Sequence, residues 1–246
     1  MNILDSVTFG LSVIIDSMTN SKQFSEFVFS KNENKSILID RGFLNIDEPT
    51  YKLFNQGMVC HKAYRNSKKE WIYPWNVKEE NGKYFDINSN EELTCEGIIK
   101  MSKSKCNVVD ITNILETYGA DAARMFVLSD SPADKDFEWT ETGIEGCWKY
   151  INRIWKMVFS FVKENRLGFE DYKKAKINES NQLYRNCHKT IKDVTIFLEN
   201  LEFNKAIARI REFTNELEKV FANKSESNEV LYYCLSVVVK LLAPFT

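Results

Sequence analysis

Glycine and proline are scarce in this chain, nine and four among 246 residues. That excludes collagen-like repeats and long flexible linkers, and it favours a helix-rich chain. Histidine is scarcer still, with only His61 and His188. No cysteine pair has C-x-x-C spacing: Cys60, Cys95, Cys106, Cys147, Cys187 and Cys234 are scattered, which excludes a small secreted disulfide framework and reads as reduced thiols of a cytoplasmic protein. Cys60, His61 and Cys95 are metal-ligand types on neighbouring β-like runs, but they lack paired spacing, and no metal site is expected from them. The first eighteen residues carry Asp5 and Asp16 and no lysine or arginine, so the basic start of a signal peptide is missing. No uninterrupted apolar run reaches membrane-spanning length.

What is present is ordinary globular material: 43% hydrophobic and 28% charged residues, enough for one large or two small domains with a real core. The net charge of −2 hides an asymmetry. From 149 to 192 there are 11 lysines and arginines against 4 aspartates and glutamates, a local +7 in an otherwise acidic chain. Such a segment points to a polyanionic partner, because neutralising phosphates releases counterions.

Residues 1–40 are the least legible part. The stretch 3–18 reads as a buried strand or helix, and 30–36 as a loop. From 57 to 99 the pattern becomes short β-favouring runs at 58–64, 70–77, 83–87 and 93–99, with Asn81-Gly82 as a hairpin turn because both positions tolerate positive φ. Two short helices follow at 107–117 and 120–128, flanking Tyr118-Gly119, with Asp110 as N-cap and Gly119 as the stop. Arg124 in the second reads as a packing or salt-bridge residue. Thr142 and Glu145 have capping-box spacing and open a long helix whose apolar stripe runs Ile144, Trp148, Ile151, Trp155, Val158 and Val162, which places both tryptophans in a core. Further helices read at 179–199, 204–221 and 227–242. In the second of these Ile207, Ile210, Phe213, Leu217 and Val220 keep helical spacing after Asn204 as N-cap, and Pro244 ends the last. Four amphipathic helices with short connections make an antiparallel bundle. The fold class expected is α+β, mostly α.

Chemistry concentrates at Lys100-Met101-Ser102-Lys103-Ser104-Lys105. Lysines interleaved with hydroxyl residues give a loop whose ammonium and backbone N–H groups converge on phosphate, although a bare lysine run more often just faces water.

The letters from Lys100 to Ser104 are the KMSKS signature of class I aminoacyl-tRNA synthetases. Around them, Asp47-Glu48-Pro49, Gln56-Gly57-Met58-Val59, Tyr118-Gly119-Ala120-Asp121-Ala122-Ala123-Arg124, Ser131-Pro132-Ala133-Asp134, Glu138-Trp139 and Gly143-Ile144-Glu145-Gly146 follow in the order seen in bacterial leucyl-tRNA synthetases. From about 41 to 246 the chain resembles that family. The resemblance implies a remnant of the class I nucleotide-binding fold at 41–139, with a β insert at 57–99 that positions the tRNA end and the lysine loop at 100–104. A tRNA-binding helical bundle of the anticodon-binding type at 140–246 would follow, with 1–40 unassigned. It further implies ATP, with Mg2+, and leucine as substrates and tRNA(Leu) as partner, with Lys103 and its companion Lys100 as the catalytic lysines. Met101, Ser102 and Ser104 would complete the ATP-binding loop, and Lys105 would contact ATP or RNA.

Two departures accompany the resemblance. Position 106 holds cysteine where the pattern has glycine or asparagine, residues that accept left-handed backbone, so impaired loop closure is expected. Neither His61 nor His188 stands in the His-x-Gly-His motif that the class uses to bind ATP from the other side, and the leucine pocket, editing domain and C-terminal RNA-binding appendage have no counterpart here. His188, on a helix, reads as a surface or satisfied core residue. The expectation is a piece of an enzyme. It would be the lysine-loop part of a leucine–tRNA ligase working with a second polypeptide, a tRNA-binding module without catalysis, or a decayed gene fragment.

Overall fold

Short alternating runs make the sheet and longer periodic runs make the helices, and the lysine loop falls where one gives way to the other. The computed structural model describes residues 54–164 and 177–246. All but the first two of these belong to one compact unit, Gln56–Thr246. Expectations for residues 1–40, for Asp47-Glu48-Pro49 and for the middle of the basic segment lie outside the described residues.

Six strands form a curled sheet: β1 (Val59–Arg65), β2 (Trp71–Ile72), β3 (Val77–Glu80), β4 (Lys83–Asp86), β5 (Glu92–Lys100) and β6 (Phe137–Glu138). Their order is β2-β1-β5-β4-β3, antiparallel throughout, while β6 adds to β1 in parallel through Val59↔Phe137 and Cys60↔Glu138. The Asn81-Gly82 hairpin is as expected: Glu80 faces Lys83 across it, with φ of 52° at Asn81 and 77° at Gly82. The run at 70–77 does not form one strand. Pro74 cannot donate to a ladder and instead opens a 3₁₀ turn, Pro74–Asn76, between β2 and β3. The register between β1 and β5 slips between Lys62 and Tyr64, a bulge that bends the strand carrying the lysine loop.

Helix α1 (Ile111–Ser129) starts where Asp110 Oδ1 accepts the N–H groups of Thr112 and Asn113, so the expected cap is there, but 107–110 is not helical. Gly119 breaks α1 in two with φ 82° and ψ 164°, a conformation essentially confined to glycine. Helix α2 (Glu141–Glu164) begins earlier than the capping-box spacing implies: Thr140 Oγ1, not Thr142, accepts the Gly143 N–H at 3.2 Å. Helices α3 (Gln182–Glu199), α4 (Phe203–Asn223) and α5 (Asn228–Leu242) follow. Asn204 lies inside α4 rather than capping it, and the cap position is Glu202. Pro244 sits in the closing 3₁₀ turn, Ala243–Phe245.

Side-chain pairs fix the helix directions. Asn186 meets Glu216 at 2.6 Å and Asp193 meets Arg209 at 2.9 Å, so α3 and α4 are antiparallel. Tyr150 shares a buried hydrogen bond with Thr214 at 3.0 Å, and further along Phe161 faces Phe221, so α2 and α4 run the same way. The core between them holds Ile144, Val194, Ile207, Ile210, Phe213, Leu217 and Val238, all essentially inaccessible to solvent. Each contributes about 1.5–3 kcal/mol of transfer free energy.

The expected face of α2 is not the buried one. Ile144, Cys147, Tyr150, Ile154, Met157 and Phe161 are buried, whereas Trp148 is 40% and Trp155 71% exposed. This helix carries apolar residues on two faces. The face that wins holds Tyr150, whose hydroxyl finds Thr214, and the small Cys147, which faces Ser129 and the Arg211 guanidinium. Among the described helices, the stretch Asn228–Phe245 is long and apolar enough to cross a membrane by composition. In this structure Val230, Leu231, Cys234, Leu235, Val237, Val238 and Leu242 of α5 are buried against the other helices.

Candidate functional site

The lysine loop hangs from the end of β5. Lys100 is the last residue of that strand and lies opposite Cys60 of β1, and the Met101 N–H donates to the Val59 carbonyl at 2.9 Å. A tight 3₁₀ turn, Lys103–Lys105, then reverses the chain: the Lys105 N–H donates to Ser102 O and the Cys106 N–H to Lys103 O. Cys106 closes the turn in left-handed backbone, φ 53° and ψ 20°, so the cysteine does adopt the geometry that glycine or asparagine accepts more readily. Ser102 and Ser104 share a hydroxyl hydrogen bond at 2.7 Å, which holds the two arms of the turn together.

Asn107 pins this turn from beneath. Its side chain is fully buried, and its Oδ1 accepts the Ser102 N–H at 2.9 Å. Its Nδ2 lies 3.1 Å from Ile99 O, 3.2 Å from His61 O and 3.3 Å from Lys100 O. One amide thus ties the loop to both central strands, satisfying backbone groups that the end of a ladder would leave open. Sequence reasoning placed Asn107 in a helix and missed it. The only sequence signal was a polar residue between Cys106 and the apolar Val108-Val109, and its partners are set by the fold.

The ammonium groups are left outward. Lys100, Lys103 and Ser104 are exposed, Met101, Ser102 and Lys105 half-buried. Among the described residues no carboxylate pairs with any of the three lysines. The Cys60 thiol is pushed up by burial and by Asp136 and Glu138, with Lys100 pulling the other way. Burial pushes the His61 imidazole below its ordinary value, so the ring beside the loop root is neutral. On the loop's flank, the Tyr73 phenol is raised by its hydrogen bond with Cys106, and its ring stacks on Trp75 with centroids 4.4 Å apart.

Other expected residues sit elsewhere. Arg124 packs at the end of the chain, its guanidinium 3.5 Å from Pro244 O. His188 lies on α3 with its Nε2 3.1 Å from the Tyr233 hydroxyl, at the surface. Cys60, His61 and Cys95 do not gather: among the described residues no three His, Cys, Asp or Glu side chains come together as a metal set. The basic segment resolves into two faces, Arg185, Lys189 and Lys192 exposed on α3 and Lys149, Lys156 and Lys163 exposed on α2.

Residues 91–140 match the family described as tRNA synthetases class I (I, L, M and V), and residues 180–246 match the anticodon-binding domain of tRNA ligase. The lysine loop and α1 thus fall within the first match, and α3 to α5 within the second. Both matches are to parts of tRNA ligases, the first to those of class I. Within that class the chain is a homologue of leucine–tRNA ligase. It is 41% identical to the leucine–tRNA ligase of Paramagnetospirillum magneticum over 84% of its own length, and 38% identical to that of Rickettsia prowazekii over 85%. It spans about a quarter of those relatives, 24% of each. Among solved structures it resembles the Agrobacterium radiobacter K84 LeuRS in a ternary complex with tRNA and LeuAMS, with a TM-score of 0.59 and 26% identity, covering 85% of this chain and 23% of that one.

Proposed function

We propose that this chain supplies the lysine loop and the tRNA-gripping helices of a leucine–tRNA ligase, and that a second polypeptide carries the His-x-Gly-His motif and the leucine pocket. The observation that carries the reading is the Asn107-anchored turn, which presents Lys100 and Lys103, unpaired among the described residues, to solvent at the end of a central strand. In adenylate formation the leucine carboxylate attacks the α-phosphorus of ATP and pyrophosphate leaves. No covalent bond to the protein is needed, so positioning and charge stabilisation supply the rate. Lys103, at the tip of the turn, offsets charge on the leaving pyrophosphate, with Lys100 as its companion. The segment Met101, Ser102 and Ser104 lines the phosphates, and Lys105 reaches ATP or RNA. In this reading Mg2+ enters with the substrate ATP.

In this reading residues 41–139 are the partial catalytic region, built on a remnant of the class I nucleotide-binding fold, with the β insert at 57–99. Residues 140–246 are an antiparallel four-helix tRNA-binding bundle working in the cytoplasm, and 1–40 stay outside both. Arg185, Lys189 and Lys192, spaced along the exposed face of α3, give that bundle its phosphate contacts. Co-expression with a polypeptide carrying the missing motif, followed by ATP–pyrophosphate exchange, tests the catalytic half. Leucine-dependent exchange is expected, and exchange at background contradicts it.

The chain has two histidines and no His-x-Gly-His, which favours as a second reading a tRNA-binding module without catalysis. A decayed gene fragment would show neither property. Filter binding of tRNA(Leu) across a salt series separates these: steeply salt-dependent binding that weakens in Arg185→Glu/Lys189→Glu/Lys192→Glu supports the bundle's role, and a flat, weak response contradicts it.

A further inference from the structure

The exposed face of α2 has a period of its own. Trp148, Asn152, Trp155, Phe159 and Val162 recur at steps of four, three, four and three, the spacing of a coiled-coil seam. Trp148, Trp155, Phe159 and Val162 are 40%, 71%, 58% and 51% exposed, so this second apolar face of the helix is uncovered among the described residues. The seam runs about 21 Å along the helix axis. Trp148, Trp155 and Val162 are each followed directly by a lysine, at Lys149, Lys156 and Lys163, so one flank of the seam is basic at seven-residue intervals. Lys149 reaches Glu145 on its own helix, and Lys156 and Lys163 pair with no carboxylate among the described residues.

Beside that flank, between α2 and α4, lies a groove of about 550 Å³, with Trp148, Asn152, Lys156, Met157, Ser160 and Phe221 among its walls. Arg153, which also borders it, is spent on Asn215 and Glu218 of α4. Asn152 donates its side-chain amide N–H to the Trp148 carbonyl on its own helix, and its side-chain oxygen meets no donor among the described residues. A single polar asparagine inside an apolar heptad seam is how coiled coils set register.

We propose that this face of α2 docks an amphipathic helix of a partner protein, one with an apolar heptad stripe and acidic residues along the edge that meets Lys149, Lys156 and Lys163. A helix fits the observations better than RNA does. Base stacking asks for flat rings and tolerates any spacing, whereas here a valine shares the seam and the cations keep strict heptad phase on one side only. The inference does not rest on the ligase reading, whose RNA contacts are placed on α3.

The test uses the full chain and two synthetic helical peptides with the same leucine stripe and one asparagine, differing only in glutamates or lysines along the flanking positions. Fluorescence anisotropy of the labelled peptides should show the glutamate peptide binding about tenfold tighter, as the summed effect of a few flanking ion pairs. That preference should invert in Lys149→Glu/Lys156→Glu/Lys163→Glu, and binding of both peptides should vanish in Trp155→Ser/Phe159→Ser. Far-UV circular dichroism checks that these surface variants keep their helices. Equal binding of the two peptides, no binding, or binding unaffected by the seam substitutions overturns the proposal. So does tRNA binding that is lost in Trp155→Ser/Phe159→Ser while neither peptide competes with the RNA, which would assign the face to nucleic acid.

Discussion

Asn107 Oδ1 accepts the backbone N–H of Ser102 at 2.9 Å from a side chain with no solvent exposure, and so fixes the root of the lysine turn by a bond that spans it from within. Replacing Asn107 with leucine keeps the volume roughly but leaves the Ser102 N–H without its acceptor and removes the amide's contacts to the carbonyls of His61, Ile99 and Lys100. The expected cost is about 1–3 kcal/mol for a buried group left unsatisfied, read as a lower urea midpoint. Trypsin should also cut faster after Lys103 and Lys105 in the variant, because the turn loses its anchor.

Cys106 holds φ 53°, and its thiol makes a weak contact to Lys103 O at 3.8 Å beside the one to the Tyr73 phenol. Cys106→Gly should therefore stabilise the folded state, by about 0.5–1 kcal/mol net of glycine's larger unfolded-state entropy. Equilibrium urea unfolding checks the sign. An unchanged or lower midpoint would mean that the Tyr73–Cys106 contact matters more than backbone strain.

At Gly119 an added Cβ meets nothing within 4 Å, so Gly119→Ala tests the backbone alone. With φ 82° and ψ 164° the alanine is expected to cost about 1–3 kcal/mol, seen as a lower melting temperature without any steric clash to explain it.

These local features were legible before the fold was. The Asn81-Gly82 hairpin, the Asp110 cap and the Gly119 break each depend on neighbours within a few residues, and sequence spacing carries that information. The buried face of α2 does not work that way. Two apolar faces compete on one helix, and the choice rests on Thr214 and Arg211 of α4, far along the chain, so pattern alone selected the stripe with the tryptophans. Asn107 was illegible for the same reason, since His61 O lies 46 positions away. The two-residue strand β6 is too short to leave a period at all. The letters Lys100 to Ser104 marked a candidate site by family resemblance, while the geometry of the turn that carries them came only from the structure.

The neutral imidazole of His61 makes stability depend on pH. Its folded-state pKa lies below the ordinary value of 6.5, chiefly through burial, so near and below pH 6.5 the unfolded chain binds more protons than the folded one. The sign follows: the contribution is complete above pH 6.5 and is lost as pH falls through the lowered folded value. The melting temperature should decline as the pH drops from 7 towards 5, and His61→Gln should flatten that decline. Asp86 and Glu91, whose carboxyls are held below their usual range by hydrogen bonds from Asn88 and Ser67, act only at lower pH and do not mask the effect.

The central claim, that this turn of lysines is the phosphate-handling loop of a leucine–tRNA ligase, is tested most directly by transplanting it. The matching stretch of the Rickettsia prowazekii leucine–tRNA ligase is replaced with the corresponding residues of this chain, and leucine-dependent ATP–pyrophosphate exchange is measured in the chimera and in its Lys103→Ala variant. The account predicts exchange in the chimera and a fall of at least about a hundredfold in the variant, the scale of losing one transition-state charge donor. A folded chimera that exchanges no faster than its Lys103→Ala variant would contradict it.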